Sequence, residues 1–447
     1  MPASGETGRN WADSLRESTA LRLAVVGVLV LVLMIPLALV DDVASERQYR
    51  SFEVTSEIAE SWGPEQSVVG PLLAVPVTQR LRSQVTNSNG DPIERIRDVN
   101  RTLLIPPETS DMAIALRHEN RQRSLYTVPV YTADVTLQAS FQRPDLDKLQ
   151  LVETTAHWQR AQVVVTTSDV RRILSATVSV NGASADFESG DPIPGVHGAP
   201  MVAPMELPQS GLTVDIAFSV RGTQSISSPL LGRSSKLSLD STWPHPSFFG
   251  HLLPDAHDTD ASGSQANWRA GGIARGLPTG WIAGEERGEL RSGAVGMRLF
   301  DPVTPYTLID RGMKYGVLFI ALTFVLVVAL ELLTGRTLHI AQYAVIGLGI
   351  AVFFQVLLAL SEHIGFGAAY LAATLILTAM MAWYATAVTD SRQLGLAMGL
   401  VQLATYGVLY VLLQLDTYAM LAGTALVLLA FGLIMFATRR LGGSLPD

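Results

Sequence analysis

The sequence predicts an α-helical, polytopic membrane protein carrying one β-rich extracytoplasmic domain. Three observations predict it. Apolar stretches gather at the two ends of the 447-residue chain, one near the start and five close together after residue 314. Each approaches the ~20 residues with which a helix crosses ~30 Å of hydrocarbon. Between them lies a long polar segment whose apolar residues mostly alternate with period two, the period of a half-buried strand.

The elements follow in chain order. Residues 1–22 form a tail carrying Arg9, Arg16 and Arg22, and residues 23–40 form the first span. Ala20 and Leu21 extend that span beyond Arg22, and Pro36 is tolerable inside it as a kink. The run is longer than the ~7–15 apolar residues of a secretory signal, and Asp41 and Asp42 follow instead of a small-residue cleavage site. An uncleaved anchor is expected. Residues 41–314 make the β-rich domain, opening on a short amphipathic helix over 46–61 whose Tyr49, Val54 and Ile58 share a face and which Gly63-Pro64 ends. Strands are predicted at 134–141, 212–220 and 236–243, where apolar and polar residues mostly alternate, and at QVVVTT and ATVSVNG, the latter running into an Asn181-Gly182 turn. A short helix is expected at 144–151, and loops at 87–92, 190–208 and 251–274. A largely antiparallel β-sandwich accounts best for this pattern. Five further spans, 315–333, 343–360, 367–388, 394–413 and 418–437, make a transmembrane bundle, and 438–447 is the closing tail.

Charge sets the expected orientation. Six spans place both termini on one side, and that side holds Arg9, Arg16, Arg22, Arg336, Arg392, Arg439 and Arg440. The short loops 361–366 and 415–417 on the other side hold no Lys or Arg. The excess of positive charge on cytoplasmic loops then puts both termini in the cytoplasm and the large domain in the periplasm of a bacterial inner membrane.

Composition excludes several chemistries. The net charge is −8 with no basic run, so nucleic acid is not an expected partner; membrane lipids are. The chain has no cysteine, which excludes disulfides and thiolate metal sites. Neither a nucleophile elbow, an H-E-x-x-H zinc motif nor a Walker sequence occurs, so no enzyme activity and no cofactor are expected. His245, His251 and His257 recur near Asp255, Asp258 and Asp260, but their spacing fits no single helix or strand face, and no metal site is expected.

Five positions stand out as candidates for function. Glu331 lies near one end of the second span, where an ionisable group points to function or reaches interfacial water beside Arg336. Glu362-His363 ends the third span, and the pair suits cation binding, proton relay or simple helix capping. Trp243 and His245 sit in a Trp-Pro-His-Pro segment whose prolines favour extended backbone. This segment suits either a rigid binding edge or a plug for the sandwich. Gln355 and Gln402 are polar within spans and are expected to make interhelical hydrogen bonds.

Three blocks carry a family resemblance: VVGPLLAVPV at 68–77; STWPHPSFFGHLLP at 241–254 with Gln265-Ala266-Asn267-Trp268 behind it; and DRGMKYGVLFIALTF at 310–324 with ELLTGRTLHIAQY and LALSEHIGF. Together they resemble the CreD family of bacterial inner-membrane proteins over nearly the whole chain, although the ending RRLGGSLPD departs from the family's compact one. The resemblance implies a role in envelope integrity and in a stress response under two-component control, and it implies no reaction. The expected function is therefore a non-enzymatic one, in which the β-rich domain binds or senses an envelope protein or a cell-wall or lipid ligand. The alternatives are a transporter or lipid-handling protein using Glu331, Glu362 and His363 in the bundle, and a periplasmic enzyme with its site near His245.

Overall fold

A computed structural model describes residues 19–86, 92–151, 153–272, 278–285, 293–299, 305–334 and 339–415, with scattered positions between 421 and 435. Its contacts divide into two compact units, Phe52–Pro302 and the combination of Met1–Ser51 with Val303–Asp447.

Among the described residues five helices are long and apolar enough to cross a membrane. They are α1 (Thr19–Trp62), α2 (Pro305–Thr334), α3 (Ile340–Ile364), α4 (Phe366–Thr389) and α5 (Arg392–Gln414). The described positions between 421 and 435 are helical as well; most of the expected sixth span, 418–437, lies outside the described residues. Two expectations are corrected here. The separate helix at 46–61 is the continuation of α1, which runs unbroken past Pro36 to Trp62, where Gly63 takes a φ of 154°. The second span starts well before residue 315, because Tyr306, Leu308 and Ile309 are buried and add an apolar turn that Asp310, Arg311 and Lys314 hide from a hydropathy reading.

In the described part of this unit, α2 and α3 are antiparallel and pinned at both ends, by Tyr306–Glu362 and by Tyr343–Glu331. Helices α4 and α5 cross at closest approach where Gly395 and Gly399 meet Ala382 and Thr386; a β-carbon at Gly395 would lie 1.8 Å from Thr386 Oγ1. Small residues spaced four apart let helices approach without a hydrophobic driving force, the usual solution in lipid.

The β-rich unit holds three sheets. The largest has eight strands in the order Ala256–Asp260, Gly263–Gly271, Ser234–Ser241, Thr109–Arg123, Tyr126–Phe141, Leu212–Thr223, Ile173–Val180 and Ala183–Ala185. All neighbours are antiparallel except Ser234–Ser241 against Thr109–Arg123. A seven-stranded sheet follows the order Glu188–Ser189, Ala199–Met205, Ala161–Thr167, Val69–Thr86, Pro92–Ile105 and Trp281–Ile282, with Thr154–Ala156 paired beside Val69–Thr86. A small sheet joins Gln66–Ser67, Ser225–Pro229, Ala294–Leu299 and Pro246–Gly250.

One apolar core lies between the inner faces, with Leu73, Val75 and Val163 from the seven-stranded sheet meeting Leu137, Phe218 and Trp268 from the eight-stranded one. This is the expected sandwich, and the predicted alternation is realised: Val135, Leu137, Ala139 and Phe141 are all buried. The seven-stranded sheet is apolar on both faces. Leu72, Leu104, Val164 and Val202 form a second core with Leu231 and Trp281, which explains why QVVVTT reads as a continuous run and not an alternation. The Asn181-Gly182 turn forms as expected, both residues at positive φ, 50° and 82°.

Three local expectations fail. Residues 144–151 form turns, not a helix, with Asp145 accepting the Asp147 N–H, the local competition by which Asp disfavours helix interiors. The expected loops at 190–208 and 251–274 contain strands, Ala199–Met205 in one and a hairpin of Ala256–Asp260 with Gly263–Gly271 in the other. Ser264, Ala266, Trp268 and Ala270 do alternate inward there, but three of the four are small and carry a weak apolar signal. Of the loop expected at 87–92, residues 87–91 lie outside the described residues and Pro92 opens a strand.

Candidate functional site

Trp243 stands just past the strand Ser234–Ser241, and its indole is fixed from several sides. Its backbone N–H donates to Ser241 Oγ at 3.0 Å, its Nε1–H donates to the His245 carbonyl at 2.9 Å, and its own carbonyl accepts from Ser264 Oγ at 2.9 Å. The ring meets His118 edge-on at 5.1 Å and His245 at 6.4 Å. His118 is held in turn by Thr242, whose Oγ1 accepts the His118 backbone N–H at 3.0 Å and lies 2.7 Å from its Nδ1. Behind this edge Phe248 contacts both His257 and the fully buried Trp268, at 5.7 and 5.8 Å. Trp268 lies inside the core, and Trp243, half-buried beside exposed His245, packs against that core at its rim. Of the spaced histidines, His245 packs on Trp243 and His257 on Phe248. No group of three or more His, Cys, Asp or Glu suited to a metal occurs among the described residues.

In the membrane unit Glu362 sits where three helices meet. Its Oε1 accepts from Tyr306 of α2 at 3.2 Å and lies 3.8 Å from Arg47 Nε of α1, and its side chain is only 10% exposed. His363, next in sequence, points to the exposed side. Glu331 lies at the other end of the α2–α3 pair, its Oε2 accepting from Tyr343 at 2.8 Å. At ~1.5 Å per residue, the stretch of α2 from Tyr306 to Glu331 is about 37 Å long. The two carboxylates therefore occupy opposite ends of the bundle and line no common site.

A third cluster carries no sequence signal beyond a Trp placed before Gly-Pro. The Trp62 ring lies between the guanidinium groups of Arg121 and Arg221, at 4.3 and 4.2 Å, while its Nε1–H donates to the Tyr131 carbonyl at 3.1 Å. Arg172 donates to the Ser61 and Glu60 carbonyls, so the last carbonyls of α1 are capped from a distant loop. Asp169 orders that loop by accepting from the Arg171 backbone and guanidinium, and those hydrogen bonds hold its carboxyl below the usual carboxylate range. Burial pushes the Tyr131 phenol up, and its hydroxyl donates to the Ser225 carbonyl at 2.7 Å.

Membrane-length apolar helices flanking a three-sheet β domain define a multi-pass membrane protein with a large β-rich domain. Residues 18–442 match the family model described as "Inner membrane protein CreD". The chain is 34% identical over 416 residues to the Inner membrane protein CreD of Escherichia coli strain K12, covering 92% of this chain and 91% of that one. It belongs to the CreD family, and its place is the inner membrane. Among solved structures, native leukotriene A4 hydrolase of Saccharomyces cerevisiae matches at 13% identity over 40% of this chain and 28% of that one, with a TM-score of 0.22. The same yeast hydrolase with bestatin matches at 11% identity over 49% and 34%, again at 0.22. Likeness at that level carries no argument.

Proposed function

We propose that this CreD-family protein supports envelope integrity and the envelope stress response by binding or sensing an envelope component through its β-rich domain, held on the periplasmic side. The observation that supports this best is the rim at Trp243. An indole fixed by hydrogen bonds, flanked by His118 and exposed His245, offers an ordered aromatic and imidazole surface at low entropic cost. Such an edge suits the face of a sugar ring or the side chains of an envelope protein. The test is photo-crosslinking in living cells with a photoreactive amino acid at His245. One reproducible protein or glycan adduct, lost on Trp243→Ala, is the expected result. No adduct at 245, or cleavage of a wall or lipid precursor by the purified protein, overturns the reading.

A second reading, transport or handling of lipid by the bundle, draws on the largely buried Glu362 and its Arg47 and Tyr306 partners. A probe at Ile364 that captures a lipid-linked precursor, with nothing at 245, would favour it. Loss of complementation on Glu362→Gln would be required as well.

A further inference from the structure

The threonines of the membrane helices fall into two groups. Thr386, Thr389 and Thr405 close their hydroxyls onto the carbonyls of Ala382, Ala385 and Val401, one turn back in their own helices, at 2.7–2.9 Å. This is how a lone hydroxyl is satisfied in lipid. Thr323, Thr374 and Thr378 do not. Their Oγ1 atoms are buried with no partner among the described residues, while Gln402 Nε2 and Tyr406 OH, one turn apart on α5, lie near each other without closing a well-formed hydrogen bond. Thr323, Thr374, Gln402 and Tyr406 are each at most 5% exposed.

These orphans share one level of the bundle. Gly399 lies against Thr378 and Ala382, and Tyr370 donates to the Tyr406 carbonyl at 2.6 Å, so antiparallel α4 and α5 set Thr374 and Thr378 opposite Gln402. On α2, Gly312 lies against Leu413 of α5. The helices alternate in direction, so eleven residues along α2 is Thr323, and eleven back along α5 is Gln402. Gln402 and Tyr406 continue the face on which Gly395 and Gly399 pack. Three helices thus turn unsatisfied polar atoms to one height near their midpoints.

We propose that this bundle encloses a hydrated polar site centred on Gln402, with water as its resident ligand. The set contains three aliphatic hydroxyls, one phenol and one carboxamide, all neutral, and the carboxylates of Glu331 and Glu362 are bound at the two ends of the α2–α3 pair. Each hydroxyl both donates and accepts, whereas Gln402 Nε2 only donates. Water answers every member, because it offers both functions and ordinarily makes about three hydrogen bonds inside proteins. The spans then do more than hold the β domain: they keep a wet, neutral centre between the two carboxylates bound at the ends.

The full-length protein in lipid nanodiscs tests this in two ways. Radiolytic labelling in ¹⁸O-water modifies side chains that neighbour bound water. Tyr406 is expected to take up label at least about tenfold faster than Phe354, which is fully buried in the same bundle. Thermal unfolding supplies the second readout. Thr374→Val and Gln402→Leu remove hydrogen-bond partners from a hydrated site and are expected to lower the midpoint by about 2–4 °C each. Thr405→Val, whose hydroxyl bonds its own helix, is the comparison. Labelling of Tyr406 no faster than Phe354 overturns the proposal. So does an unchanged or raised midpoint in both apolar variants, since a dry site gains when its orphaned polar atoms are removed. If Gln402→Leu does not fold, Thr374→Val and the labelling of the native chain decide.

Discussion

Tyr131 and Asp169 show what single side chains do in the β-rich unit. Tyr131 is fully buried, and its hydroxyl serves the Ser225 carbonyl. Tyr131→Phe strands that carbonyl and should cost about 1–3 kcal/mol of stability, read by denaturant unfolding of the whole protein. Asp169 caps the turn that carries Arg172 to the end of α1. Asp169→Ala should cost about 0.5–2 kcal/mol near neutral pH. The sign of its pH dependence follows from its lowered pKa. The contribution is complete above the unfolded value near ~3.9 and disappears as pH falls through the lower folded value. Unfolding curves of parent and variant should therefore converge in acid. At this scale the sequence was partly legible. Trp243 and His245 could be chosen because a Trp-Pro-His-Pro run is locally unusual, and the structure brings them together. Glu331 and Glu362 could be chosen as charges near span ends, but their separation could not be seen, because helix pairing decides it. Arg121, Arg172 and Arg221 gave no signal, since each finds its partner only through tertiary contact.

Glycines and prolines govern the elements. Gly395→Leu should drive α4 from α5, because even a β-carbon at that position would lie 2.7 Å from the Ala382 carbonyl. The expected outcome is a fall in the thermal midpoint of several degrees in detergent, while Gly407→Leu, with no atom of the described residues within 4 Å of its β-position, should change little. At the end of α1, Gly63 has a φ of 154° and a β-position 2.5 Å from the Arg221 carbonyl oxygen. Gly63→Ala should loosen the Trp62 clamp, and the quenching of tryptophan fluorescence by acrylamide would report it. Strands rich in large apolar residues were legible from alternation alone. Gly263–Gly271 was not, because its inward positions are filled largely by alanine and serine, and Ala199–Met205 was not, because Pro200 and Pro204 read as loop although Met201, Val202 and Ala203 are buried. The length of α1 was also hidden: after Asp41 its apolar stripe narrows and its solvent face turns charged, which looks like a new helix while the backbone simply continues.

For the whole molecule, the layout of apolar ends around a β-rich middle was readable from hydropathy, because lipid demands long apolar runs. The three-sheet arrangement was not, because strand order depends on pairings far apart in sequence. The proposed topology is checked by alkaline phosphatase fusions, which are active only outside the cytoplasm. A fusion after Gly365 should be active, and one after Ser391 inactive; the opposite pattern would invert the protein. The parallel pairing of Ser234–Ser241 with Thr109–Arg123 bears on the order in which the protein is made. When the hairpin Thr109–Phe141 has been made, neither Leu212–Thr223 nor Ser234–Ser241, which cover its two sides, has been synthesised, and the Thr109–Arg123 edge waits longer. That edge stays bare through the making of a large share of the domain, in the state where exposed strand edges invite mispairing. A pause in synthesis between these two strands therefore prolongs the time for which that edge can pair wrongly.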